Sequence, residues 1–159
     1  MSRALRAPAA EPASRYLHPG EVVVSARPLA LATVLGSCVG VCLFDDARGV
    51  GGMNHFLLPD SAGHARPGPR FGDAAMYQLL ADVLAAGASR DGLAARVFGG
   101  ACVLAAFAGS RHLGERNVEV ALDFLDARAI PVLECDTGGR RGRRILFHTH
   151  TGAAQARRI

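Results

Sequence analysis

A chain of 159 residues, half of them hydrophobic and a fifth charged, can bury roughly 70% of the surface its unfolded form exposes and is too apolar for a disordered protein. Aromatic residues are scarce and Trp is absent, so the stacked rings that single-stranded nucleic acid requires are missing. The formal charge of +4 is carried by Arg without Lys. Its clusters are Arg3, Arg6 and Arg15 at the start and Arg140, Arg141, Arg143, Arg144, Arg157 and Arg158 near the end. With no recognition helix beside them they fit an acidic protein partner, and no nucleic-acid partner is expected.

In chain order, residues 1–15 are rich in Ala, Pro, Ser and Arg with no period that could bury a face, which predicts a flexible tail ahead of one domain over 16–159. The tail lacks the apolar segment of a secretory signal, and no later run approaches the roughly 18 residues of a membrane span. Cys38, Cys42, Cys102 and Cys135 include no CxxC spacing, so a reducing cytoplasm with free thiols and no direct membrane insertion is expected.

Glu21–Ser25, Leu29–Leu35 and Val39–Asp45 are short, apolar or β-branched runs with turn residues between them, and read as strands. Asp45–Gly49 is a turn, so Val39–Asp45 and a strand over Val50–Leu58 form a hairpin. Residues 59–72 hold Pro and Gly among polar residues and read as a long loop of the kind that often carries function. Asp73 has N-cap chemistry, and Met76, Leu79, Leu80, Val83 and Leu84 recur at helical spacing up to Gly87. Arg96–Leu104 reads as a strand broken at Gly99-Gly100, Glu115–Arg128 as a second helix, and Ile130–Cys135 and Arg144–His148 as strands around a turn at Thr137–Arg140. Early strands followed by mixed elements predict an α+β protein, with mixed or antiparallel sheets flanked by helices.

The segment Thr33-Val34-Leu35-Gly36-Ser37-Cys38-Val39 brings two strands together at a Gly-containing bend. A thiol just after such a bend can stand clear of the sheet, with backbone N–H groups of Gly36, Ser37 and Val39 near an oxyanion. A small buried hydrophobe is the other role open to Cys38, and the commoner one for a free cysteine. His55 lies in an otherwise apolar strand that pairs with the one bearing Cys38. A thiol beside an imidazole can react at neutral pH. Thr33 could orient the ring as a third member, whereas Asn54 alternates to the opposite face of the strand.

These segments carry a resemblance. Leu35-Gly36-Ser37-Cys38-Val39-Gly40-Val41-Cys42-Leu43-Phe44-Asp45, Gly51-Gly52-Met53-Asn54-His55, Leu58-Pro59-Asp60 and Arg70-Phe71-Gly72-Asp73-Ala74-Ala75-Met76 look like the chemoreceptor glutamine deamidase family, CheD. So do Val97-Phe98-Gly99-Gly100-Ala101, Gly114-Glu115-Arg116-Asn117 and Asp136-Thr137-Gly138-Gly139-Arg140-Arg141-Gly142-Arg143, in order over about residues 18–152. Phe44 and Phe71 stand where Tyr is common in relatives.

The resemblance implies a β-sandwich with flanking helices, similar to bacterial toxin deamidases, and a Cys-His-Thr triad falling on Cys38, His55 and Thr33. It implies deamidation of glutamine side chains on the cytoplasmic helices of methyl-accepting chemotaxis receptors, without a cofactor, and partnership with a CheC-type phosphatase. A non-catalytic adaptor for that phosphatase is the alternative. Asn54, Arg70, Gly138, Gly139 and Arg140 are candidate substrate contacts, with a solvated hairpin tip an equal reading of the Arg-rich turn. His148-x-His150 with Cys135 could approach a metal, but two firm ligands are too few for a structural zinc site, and no metal is expected.

Overall fold

The computed structural model describes residues 10–104 and 111–159. The elements run β1 (Ala13–Tyr16), β2 (Val22–Ser25), β3 (Leu29–Leu35), β4 (Val39–Asp45), β5 (Val50–Asn54), α1 (Gly72–Ala85), β6 (Ala94–Gly99), α2 (Leu113–Ala127), β7 (Val132–Thr137), β8 (Arg143–His148) and β9 (Ala154–Arg158). They form two mixed sheets. One has the order β1-β3-β8-β9, antiparallel except where β1 runs parallel to β3, and the other has the order β2-β5-β4-β6-β7, antiparallel except for β6 with β7.

Side-chain alternation along β4 explains the layering. Val39, Val41 and Leu43 join Met76, Leu79, Val83, Ala121 and Leu125 of the helices in one core, while Cys42 and Phe44 pack with Leu31, Leu35, Ile145 and Phe147 of the other sheet in a second core. Successive residues of a strand point to opposite faces, so β4 is buried along its whole length because both of its faces are covered. The result is sheet upon sheet upon helices, the layered α+β sandwich expected from the sequence. Burying each Leu, Met or Val of these cores contributes about 1.5–3 kcal/mol.

β3, β4 and the Asp45–Gly49 turn fall where the sequence places them, and β4 and β5 form the expected hairpin. The regular part of β5 stops at Asn54. Phe56 then makes an isolated bridge to Val39, and Leu58 one to Phe71.

Three expectations change. Part of the proposed tail, residues 1–9, lies outside the described residues, but its end at Ala13–Arg15 belongs to strand β1. The sequence reading ended at His148, whereas Ala154–Arg158 adds β9 at the sheet edge. Asp73 does not cap α1: the N-cap is Phe71, with no side-chain bond. Its carboxylate accepts from Ser61 N at 3.2 Å and Ser61 Oγ at 2.7 Å instead, pinning the long loop to the helix. Burial works to raise the Asp73 pKa, but these bonds and one from Ala74 N hold it below the ordinary value.

Candidate active site

Thr33 lies on β3 between Leu31 and Leu35, all three buried against the other sheet. Its hydroxyl donates to Leu17 O at 2.7 Å and sits 2.9 Å from His55 Nδ1. A hydroxyl has a single proton to donate. Since Leu17 O can only accept, that proton is committed and Nδ1 must be the donor to Thr33 Oγ1. The neutral ring therefore carries its hydrogen on Nδ1, and Nε2 is left with a free lone pair. Leu17 itself is held in place by its N–H, which donates to Ala32 O at 2.8 Å.

His55 is brought to this layer by the β4–β5 register. Cys42 pairs with Met53 and Val39 bridges Phe56, so continuing the register sets Gly40 opposite His55. Cys38 lies in the bend just before β4 and packs against the same inter-sheet core that the Thr33–His55 contact adjoins. It packs at the margin of the inter-sheet core, half-buried. His55 is 1% exposed.

The bend that carries Cys38 is anchored through consecutive carbonyls. Gly36 O accepts from Ala101 N at 2.9 Å, Ser37 O from Asn117 Nδ2 at 3.0 Å, and Cys38 O from Gly100 N at 2.9 Å. Gly99 adopts a φ of 105°, and a Cβ there would collide with Cys38 O, so the close approach of β6 to the bend requires glycine. Among the described residues the N–H groups of Gly36, Ser37 and Cys38 donate to no other residue, while Val39 N donates to Phe56 O at 3.1 Å. Val39 is thereby removed from the expected oxyanion donors, because its proton is already held in the sheet.

Burial pushes the Cys38 thiol pKa up, opposed by its own backbone N–H. Burial also depresses the His55 pKa to about 4, against the Leu17 carbonyl, which raises it. At neutral pH Cys38 is thus a thiol and His55 a neutral imidazole at rest. Cys42, fully buried, is shifted upward by desolvation more strongly.

The remaining candidates separate. Asn54 is buried on the helix side, its Oδ1 accepting from Val41 N at 2.9 Å and its Nδ2 reaching Met76 Sδ at 3.3 Å. Those are structural bonds, and they take Asn54 out of the substrate contacts. Arg70 is exposed with its guanidinium 4.8 Å from the Phe71 ring centroid, and its carbonyl accepts from Leu57 N two residues past His55. Gly138 and Gly139 have φ of 79° and 71°, and Arg140 is exposed beside them.

The turn at 137–142 is built around Arg143, which sequence reasoning left without a role. At 1% exposure its guanidinium reaches Asp136 Oδ1 at 3.1 Å, Gly138 O at 2.9 Å and Gly99 O at 3.4 Å. His148 and His150 stand with ring centroids 6.3 Å apart, but Cys135 is on β7 of the other sheet, paired with Val97, and is not their neighbour. Beside the bend, a cavity of about 360 Å³ opens between Ser37, Cys102, Leu104, His112 and Gly114. Among the described residues no helix is long and apolar enough to cross a membrane.

A layered α+β protein with a half-buried thiol at the margin of the inter-sheet core and a hydroxyl-anchored imidazole buried beside that core is the class that fold and site define. A family model described as CheD chemotactic sensory transduction matches residues 57–158. A protein of Anaeromyxobacter dehalogenans named probable chemoreceptor glutamine deamidase CheD 1 is 53% identical over 144 residues, 91% of this chain and 84% of its own. One of Trichlorobacter lovleyi, named probable chemoreceptor glutamine deamidase CheD, is 47% identical over 137 residues, covering 86% and 85%. Among solved structures, the hypothetical protein YfiH of Bacillus licheniformis is similar with a TM-score of 0.45 at 15% identity, over 73% of this chain and 49% of that one. The chain belongs to the CheD family.

Proposed function

We propose that the protein deamidates glutamine side chains on chemotaxis receptors, with Cys38 as nucleophile, His55 as its base and acid, and Thr33 orienting the imidazole. The observation that carries this reading is the Thr33 Oγ1 to His55 Nδ1 contact of 2.9 Å together with the bond from Thr33 to Leu17 O. It leaves Nε2 as an acceptor. The names of the relatives from A. dehalogenans and T. lovleyi supply the substrate class.

Because thiol and imidazole are both neutral at rest, the proton moves as the bond forms. His55 Nε2 takes the proton of Cys38 Sγ while sulfur adds to the carboxamide carbon, and the carbonyl oxygen becomes an oxyanion facing the N–H groups of Ser37 and Cys38. Collapse breaks the C–N bond, and the imidazolium delivers its Nε2 proton to the leaving nitrogen, releasing ammonia and leaving a thioester on Cys38. Water, deprotonated by Nε2, adds to the thioester carbon. The C–S bond then breaks, sulfur recovers a proton from the imidazolium, and a glutamate side chain remains.

Each turnover places one negative charge on a receptor helix, where it changes local side-chain pairing. The segment 59–72, fastened at Asp73, and the turn around Gly138 to Arg140 flank the route of a substrate helix. A CheC-type phosphatase is the second partner, carried over from the family resemblance.

Ammonia release from a purified receptor cytoplasmic fragment tests the reading against a purely adaptor role. Stoichiometric ammonia with conversion of receptor glutamine to glutamate is expected. Binding to the fragment without ammonia would favour the adaptor.

A further inference from the structure

We propose that Asn117 is a positioning residue for the nucleophile: its side-chain amide holds the Ser37 carbonyl so that the N–H of Cys38 faces the developing oxyanion. The inference rests on the assignment of Cys38 made above.

Asn117 lies in the second turn of α2 and is fully buried. Its Nδ2 donates to Ser37 O and to Leu57 O, each at 3.0 Å. Both amide hydrogens therefore meet carbonyls, and the reversed orientation would set Oδ1 against two acceptors, so the chemistry of the partners fixes which way the amide points. One side chain in this way ties the bend before Cys38 to the chain two residues beyond His55.

The consequence for the oxyanion follows from peptide geometry. In a trans peptide unit the C=O and the next N–H point in opposite directions in one plane. Three successive units have their carbonyls anchored: Gly36 O on Ala101 N, Ser37 O on Asn117, and Cys38 O on Gly100 N. Two of these anchors are main-chain bonds to Gly100 and Ala101, just after β6. The middle one, which sets the direction of the Cys38 N–H, is the only one of the three supplied by a side chain.

Asn117 reaches the bend because α2 approaches the end of β6 closely: a Cβ on Gly114 would strike Gly100 O. Its Oδ1 is buried with no partner among the described residues. An aliphatic side chain here would leave the Ser37 and Leu57 carbonyls without their donor. The amide is thus the group that fixes the direction of the Ser37 carbonyl, and with it the Cys38 N–H.

The test compares wild type, Asn117→Ala and Cys38→Ala on a receptor fragment, measuring kcat and KM for ammonia release and, separately, the rate at which iodoacetamide alkylates Cys38. Alkylation needs the thiol and its base but develops no oxyanion. For Asn117→Ala, kcat is expected to fall about 100-fold with KM within about threefold and the alkylation rate within about twofold of wild type. A kcat within about threefold of wild type would overturn the proposal. So would an alkylation rate that falls in step with kcat, because that marks a general displacement of Cys38 from His55. If Asn117→Ala loses its cooperative melt, Asn117→Ser, which keeps one donor, replaces it; an intermediate loss of kcat supports the proposal and an unchanged kcat overturns it. Turnover that survives in Cys38→Ala would instead sink the assignment of the nucleophile, a result distinct from any of these.

Discussion

Thr33 and His55 are joined by a 2.9 Å contact, and the carbonyl of Leu17, 2.7 Å from the same hydroxyl, decides which of them donates. Removing the hydroxyl leaves the Nδ1 hydrogen without its acceptor and lets the ring adopt the tautomer that cannot take the thiol proton. A net hydrogen bond of about 0.5–1.5 kcal/mol corresponds to roughly a tenfold loss of rate. Thr33→Ala should therefore slow ammonia release about tenfold, whereas His55→Ala, which in the proposed mechanism loses both base and acid, should lose about 100-fold or more. Steady-state kinetics on folded variants would decide it, and equal losses in the two would assign Thr33 more than orientation.

Thiol reactivity should follow dependence on His55 rather than exposure. Cys135 is exposed and will alkylate without help from His55, and Cys42 is buried and should remain unlabelled in the native protein. Cys38, its thiol pKa raised by burial, needs the base: in His55→Ala its alkylation should slow about tenfold while that of Cys135 is unchanged. Peptide mapping after timed iodoacetamide treatment measures both sites at once. A Cys38 rate indifferent to His55 would break the link between the two residues.

The buried imidazole also predicts a stability change with pH. With a folded pKa of about 4 against an ordinary value of 6.5, the unfolded chain binds more protons than the folded one between those values. Stability from this group is then fully present above pH 6.5 and is lost as the pH falls through 4, by roughly 3 kcal/mol in all. Urea melts of wild type and His55→Gln at neutral and acidic pH isolate it. The variant should lose less stability on acidification, and identical slopes would contradict the buried neutral ring.

Arg143 tests the architecture around the turn. Its guanidinium, 1% exposed, bonds Asp136 and the carbonyls of Gly138 and Gly99. Arg143→Ala leaves these acceptors unmet and should cost about 3 kcal/mol. Lys cannot reproduce the fork of donors, so Arg143→Lys should recover only part of that loss. Thermal or urea melts of the two variants measure it, and an unchanged melt would mean the turn is held elsewhere.

How much of this was legible in the sequence differed by kind of residue. Leu29–Leu35 and Val39–Asp45 stood out because both bury side chains in a core, and burial leaves an apolar pattern. Ala13–Tyr16 and Ala154–Arg158 are edge strands with largely exposed side chains, joined through main-chain bonds that leave no side-chain signature. Asp73 before an apolar helical period looks like a cap, and only the folded loop reveals Ser61 as its partner. The triad candidates were visible as residue types near a bend. Asn117 was not, because its partners lie 80 and 60 residues away and are carbonyls, which any residue at those positions would provide. The Leu17 carbonyl was hidden for the same reason.

The central claim is that Cys38 carries the reaction, and the most direct measurement is glutamate formation on a receptor cytoplasmic fragment by wild type, Cys38→Ala and Cys38→Ser, each first shown to melt cooperatively. Cys38→Ala should release no ammonia above the uncatalysed background, since the proposed nucleophile is gone. Cys38→Ser should be slower than wild type by about 100-fold or more, because a hydroxyl is a far poorer nucleophile beside the same imidazole. Ammonia released by folded Cys38→Ala at a rate near that of wild type would contradict the account outright.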